Sequence, residues 1–221
     1  MSSEPLRARG KARRHADIVA AASDLWRNDG IENVSLNQIA AAAEVAPQTI
    51  YNLIGGIDAI GFAVIKAALD RLDATLEKSS ERGLELALHS ARSSAQIYTE
   101  DAKLYRQVLV RIPRMLFEGT HLGRDTADVS IRALIQAQAA GEIVPEIDPA
   151  RLGRTIYINY LGALYDWACG DSADAEFLRA AEIAVLAPAA ACASPHLRQA
   201  LAMRLFSALS PGIQNAAVGE P

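Results

Sequence analysis

A short stretch behind Pro47 sets amide and hydroxyl groups at helical spacing. Gln48, Thr49, Tyr51 and Asn52 share one side, and Ile50 points to the other. A primary amide can pair with an adenine edge through one donor and one acceptor, and a threonine meets a thymine methyl or a phosphate. A tyrosine hydroxyl can donate to a phosphate and fix orientation. A helix that shows such groups near its N-terminus suits the major groove of a duplex. Upstream, Ser35 stands where its hydroxyl and the free N–H groups of a helix start can take a phosphate. Arg13 and Arg14 can reach phosphates, and Arg7, Arg9 and Lys11 can follow the minor groove. Each residue also has an ordinary role. Ser35 is a cap, Gln48, Thr49 and Asn52 can be a solvated face, Tyr51 can be partly buried, and a basic block can be a solubilising tail. The ordered set of cap, turn, proline and basic block carries the reading.

Two short helices must hold these groups. Ser35 and Gln38 form an S-x-x-Q capping box. Leu36, Ile39, Ala40 and Ala43 make the buried stripe of the first, and a turn follows at about 43–46. Pro47 opens the second at the position where a missing N–H costs nothing. Ile50 faces inward with Leu53 or Ile54, and Gly55 and Gly56 end the helix. Ahead of them, Ile18, Ala21, Ala22, Leu25 and Trp26 lie on one stripe of a helix from about Lys11 to Asn28, stopped by Gly30. Residues 1–10 read as a disordered basic arm and 11–56 as a helix-turn-helix domain.

The remainder reads as helix throughout. Ile65, Leu69, Leu72 and Leu76 give a helix over about 58–78 a regular apolar face. Further helices are predicted near 83–100, 102–118, 122–140, 149–169, 174–187 and 195–209, with a kink at Pro113 and a loop over 141–148. Asp148 and Pro149 supply a cap and a first helical residue. No run of alternating β-branched residues predicts a strand. The expected fold is all-α: a three-helix head, a helical body over 57–210, and a loose tail over 211–221.

Composition narrows the function. The 221 residues are 51% hydrophobic, enough for a sizeable core. The net charge of −4 argues against a general nucleic-acid coat and leaves the local basic block to meet phosphates. Residues 1–58 hold six Lys or Arg against seven Asp or Glu. Cys169 and Cys192 lack metal-type spacing and point to a reducing compartment. The N-terminus has no signal-peptide core, and the longest uncharged apolar run, 183–193, contains Pro188 and is too short to span a bilayer. A cytoplasmic protein with no membrane partner is expected.

Catalysis finds little support. Glu118 and His121 have the E-x-x-H spacing of helical di-iron sites, but such sites need a second pair and two more carboxylates. There is no Gly-rich phosphate loop, nucleophile elbow or Cys-x-x-Cys. No catalytic residue, metal ligand or cofactor is assigned. The body instead offers polar or polarisable groups on apolar helices: His89, Tyr98, Tyr105, Arg106, Met115, Phe117, His121 and Tyr160. A pocket built from them suits an apolar or aromatic small molecule. The helix from about Arg151 to Cys169 is apolar on more than one side, through Leu152, Ile156, Ile158, Leu161, Leu164 and Trp167. Such a helix is buried on both faces, either between body and partner subunit or deep in a monomer.

Residues from about Arg14 to Ile60 resemble the N-terminal domain of the TetR family of bacterial transcriptional regulators. The resemblance rests on Ile18-Val-Ala-Ala-Ala, Leu25-Trp26, Gly30, Val34-Ser35, Ile39-Ala40, Val45, Thr49-Ile50-Tyr51-Asn52, Gly55 and Asp58-Ala59-Ile60. It implies a homodimer that binds double-stranded DNA at a near-palindromic operator and represses until a small-molecule effector releases it. Dimerisation through the last two long helices of the family corresponds here to about 149–169 and 174–187. Two positions depart from the family. Glu44 replaces the usual turn glycine, and in a left-handed backbone it costs on the order of 1 kcal/mol. Ile57 replaces a frequent lysine and removes one phosphate contact. These departures and the neutral helix after Pro47 leave a second reading: a helical protein-interaction module whose head does not bind DNA specifically. Salt-sensitive binding to a palindromic duplex separates the two.

Overall fold

The computed structural model describes residues 4–111, 125–170 and 172–210, with side chains from residue 8 on. Its architecture is all-α. The helices are α1 (Glu4–Asp29), α2 (Leu36–Ala42), α3 (Pro47–Leu53), α4 (Ile57–Glu77), α5 (Gly83–Thr99), α6 (Ala102–Arg111), α7 (Asp128–Ala139), α8 (Pro149–Ala168), α9 (Asp174–Cys192) and α10 (Pro195–Leu209). A 3-10 turn, Ile31–Asn33, joins α1 to α2. No single helix among the described residues is long and apolar enough to cross a membrane.

Three boundaries differ from expectation. First, α1 begins at Glu4 rather than near Lys11, so the backbone of 4–10 is helical where an irregular arm was predicted. Apolar periodicity could not mark this start, because charged and small residues dominate 7–14. Second, α7 begins at Asp128 rather than near 122, with 125–127 outside the helix. Third, α9 runs through Pro188 to Cys192 instead of stopping at 187. Proline removes one helical N–H bond, while Val185, Leu186 and Ala189 around it are buried and hold the helix on course. Pro113, the Glu118/His121 pair and the tail over 211–221 lie outside the described residues.

The chain divides into two compact units. One comprises the chain up to Ser79 with Ser93–Thr126 and Leu164–Asp174. Here α1 packs on α2, α3, α4 and α6, and α4 packs on α6. Ile18, Trp26, Ile39, Ile50 and Ile60 are fully buried at its centre. Polar side chains fasten α6 to the head. Gln107 accepts from the Ile31 N–H at 2.8 Å and donates to the Trp26 carbonyl at 3.2 Å. Arg111 donates to Glu32 at 2.5 Å and to Asp58 at 2.9 Å. Asp101, just ahead of α6, accepts from Arg27 Nη2 at 2.7 Å.

The same helix grips the turn between α8 and α9. Arg106 donates to the Ser172 carbonyl at 3.0 Å and to Asp174 at 3.1 Å, and stacks 4.6 Å over the Trp167 ring. Trp167 Nε1 donates to the same carboxylate at 2.7 Å. This indole bond, aided by Arg106, holds the Asp174 carboxyl below its ordinary range.

The other unit comprises Ser80–Arg92, Ala127–Ala163 and the chain from Ala175 on. Glu142 organises it. Its carboxylate accepts from the Leu84 N–H at 2.9 Å at the start of α5, and its carbonyl accepts from the Ser194 N–H at 2.9 Å. Ile143 bridges Ala193. Gln138 donates to the Val144 and Ile147 carbonyls at 3.1 and 2.7 Å, which closes the loop after α7. Ion pairs Arg92–Glu182 and Arg204–Glu85 lie around its surface. Leu152, Ile156 and Leu161 of α8 are buried, as predicted, but Ile158 is 53% exposed. An all-round apolar pattern does not say which side chain faces out.

Candidate nucleic-acid interface

Local chemistry builds the site. Ser35 Oγ accepts from the Gln38 N–H at 3.3 Å, and Gln38 Oε1 accepts from the Ser35 N–H at 2.8 Å. The capping box is therefore complete. Ser35 stays exposed, but its hydroxyl also donates to Gln38 Oε1 at 2.7 Å. A phosphate there would share an already engaged group.

The end of α2 sets the angle of α3. The Val45 N–H donates to the Ala40 carbonyl at 2.9 Å and the Glu44 N–H to the Ala41 carbonyl at 3.2 Å. This is a Schellman motif, whose second residue past the helix must be left-handed. Glu44 holds that place with φ 53°, the one positive φ outside glycine among the described residues. Left-handed strain in a non-glycine residue is offset in part by the extra chain entropy glycine has when unfolded. Glu44→Gly should therefore raise stability by about 0.5–1 kcal/mol in urea unfolding. It should also tighten binding of any polyanion to this face, because a carboxylate leaves it.

With this turn fixed, α3 starts at Pro47 and buries Ile50 completely. Tyr51 on the opposite side is 58% exposed. Gln48 and Asn52 are exposed and Thr49 is half-buried. Gln48 Nε2 donates to Asn52 Oδ1 at 3.1 Å, so the two amides align along the helix. Arg13 is exposed, with Asp17 at 3.9 Å. Arg14 is exposed and lines a shallow hollow with Glu44, Val45, Ala46, Thr49, Asn52 and Leu53. Thus the end of α1 and the outer side of α3 share one surface.

The body candidates are dispersed. Tyr98 and Tyr105 are buried and meet edge-to-face, with ring centroids 5.1 Å apart. Burial pushes the Tyr105 phenol up from its ordinary value, while Arg71 opposes the shift. Arg106 is committed to Trp167, Ser172 and Asp174. His89 is half-buried on α5, and Tyr160 is buried 6.1 Å from Phe177, a residue the sequence did not single out. Met115, Phe117 and His121 lie outside the described residues. Sequence reasoning also missed Gln107 and Arg111. The head residues they bind are 53 to 81 positions away, so no spacing rule could reveal those ties.

Comparisons with known proteins agree with this arrangement. Residues 18–53 match the family model described as bacterial regulatory proteins, tetR family. A comparison with curated proteins returns no match. Among solved structures, SmeT, the repressor of the Stenotrophomonas maltophilia multidrug efflux pump SmeDEF, is similar with TM-score 0.61 and 21% identity, over 94% of this chain and 96% of its own. CprB, a TetR-family protein from S. coelicolor A3(2), has TM-score 0.59 and 18% identity, over 87% of this chain and 97% of its own. A gamma-butyrolactone receptor, an ArpA-like protein, has TM-score 0.56 and 18% identity, over 89% and 98%. Likeness at these identities is one of fold. Residues 18–53 thus resemble the tetR family of bacterial regulatory proteins in sequence, and the chain as a whole shares the fold of these solved structures.

Proposed function

We propose that the protein is a cytoplasmic, homodimeric transcriptional repressor without catalytic activity. It holds a near-palindromic operator in double-stranded DNA and leaves it when a small, largely apolar effector binds the body. The observation that carries this reading is α3: its apolar Ile50 is sealed in the head while Gln48, Tyr51 and Asn52 face outward together. Gln48 and Asn52 read bases, Thr49 meets a thymine methyl or phosphate, and Tyr51, Ser35, Arg13 and Arg14 hold phosphates. Two copies pair through α8 and α9. In α8, Thr155, Ile158, Asn159 and Gly162 form an exposed row for the second copy.

The effector acts through α6. That helix is tied to the Ile31 turn by Gln107, to the start of α4 by Arg111, and to the α8–α9 turn by Arg106. A ligand that favours a different setting of α6 shifts the head and so the spacing of the two α3 helices. Tyr98 and Tyr105, which meet edge-to-face at α6, suit an apolar molecule with a few hydrogen-bonding atoms. SmeT is named as the repressor of a multidrug pump and the ArpA-like protein as a gamma-butyrolactone receptor. Lactones and apolar drug-like molecules are therefore the first effectors to screen.

The test is selection of duplexes from a random-sequence pool by the full chain, followed by footprinting. The expected result is a near-palindrome with two protected half-sites, spaced by one helical turn of about 10 base pairs or a multiple, and one dimer bound across them. Recovery of no sequence above the mixed-sequence background would overturn the reading and favour the protein-interaction module, for which Glu44 and Ile57 speak.

A further inference from the structure

Five cations stand within eight residues at the start of the chain: Arg7, Arg9, Lys11, Arg13 and Arg14. As a flexible arm they would suit the minor groove. The backbone there is instead the beginning of α1, helical from Glu4. A helix with its side chains is about 10–12 Å across, whereas the minor groove is about 6 Å wide. In this form the segment does not fit it.

Three observations say where it goes. Ala8, Arg9, Lys11, Ala12, Arg13 and Arg14 are all exposed, so the turns around them are bare on every side. Cations at a helix start oppose the helix dipole by about 0.3–1 kcal/mol each, and Gly10 weakens the helix further. The exposed Arg13–Asp17 pair at 3.9 Å relieves little of this. Finally, Arg14 lines the hollow that also holds Thr49 and Asn52, so α1 projects from the edge of the surface that presents α3. The free helix lacks a run of negative charge beside it. A nucleic-acid strand offers one phosphate per 3.4 Å of axis. From Arg9 to Arg14 the helix rises about 7.5 Å, enough to meet about two or three of them.

We propose that the first turns of α1 lie as a helix along the phosphate backbone beside the groove that α3 enters, with Arg9 and Arg13, four residues apart on one side of the helix, each neutralising a phosphate. This rests on the DNA-binding reading above. The contact is independent of sequence and strengthens operator and mixed-sequence duplexes alike. Duplex binding also firms the helix.

The test compares the full chain with a triple variant, Arg9→Ala, Lys11→Ala and Arg13→Ala, on a duplex recovered from the random pool and on a mixed-sequence duplex. Alanine favours helix, so the fold is kept. The slope of log affinity against log salt should fall by about 2 per protomer, at about 0.9 per phosphate lost. A second variant, Ala12→Pro, retains every cation and breaks the helix. It should lose most of the same affinity. An unchanged slope in the triple variant, or wild-type binding by Ala12→Pro, overturns the helical contact while the DNA-binding reading stands. A wild-type chain that binds neither duplex overturns both.

Discussion

Replacing Gly153 with valine should destabilise the protein by about 3 kcal/mol, at the upper end of what overpacking costs. A Cβ on this residue of α8 would stand 2.6 Å from Ile131 Cα, 2.8 Å from Ile131 N and 2.9 Å from the Ser130 carbonyl carbon. All three are backbone atoms of α7, so no rotamer change makes room. The two helices must part, and the packing of Leu152 and Ile156, which are buried on α8, loosens with them. Gly153→Ala is the sharper test. Helix propensity alone would make alanine stabilising by about 0.5–1 kcal/mol. The close approach reverses that sign, so alanine should destabilise, though less than valine. With a urea m-value of about 3 kcal/mol/M, the valine variant should unfold about 1 M earlier. Because α8 carries the proposed dimer face, duplex affinity should fall in the same order. An alanine variant as stable as wild type would mean that α7 and α8 do not touch through Gly153.

The sequence was readable wherever neighbouring residues decide the outcome. The Ser35–Gln38 box, Pro47 opening α3 and Asp148-Pro149 opening α8 act within one turn, and these helices begin where those residues predict. The inward Ile50 and outward Tyr51 also follow from position on one short helix. Legibility failed where the deciding contacts are distant or lacking. No apolar stripe marks the first turns of α1, where Arg9, Lys11, Ala12 and Arg13 are exposed. Pro188 reads as a stop by local rules, yet buried neighbours carry α9 past it. Ile158 belongs to an unbroken apolar pattern, and only tertiary packing selects it for exposure. The α6 network was hidden for the same reason. Arg111 and Gln107 look like ordinary polar ends of a helix until the turn at Ile31 and the start of α4 arrive beside them.

Tyr51→Ala should lower operator affinity by about two to four orders of magnitude while leaving the fold and the dimer intact. The side chain is 58% exposed and sits mid-surface on α3. Truncating an exposed residue usually shifts stability by no more than about 0.5 kcal/mol, so the helicity and unfolding midpoint should not move. In the proposed DNA contact the hydroxyl bonds a charged phosphate, worth about 1.5–3 kcal/mol. A dimer uses it twice, and about 1.4 kcal/mol is one factor of ten in affinity. Tyrosine is neutral and displaces no counterion by charge, so the salt slope should stay as in wild type. That separates it from the arginines of α1, whose removal flattens the slope. Tyr51→Phe divides the effect further: it keeps the ring on the backbone and removes only the hydroxyl, and should recover part of the loss. If Tyr51→Ala binds the selected duplex as wild type does, α3 does not lie in the groove, and the surface that reads sequence must be sought on another helix.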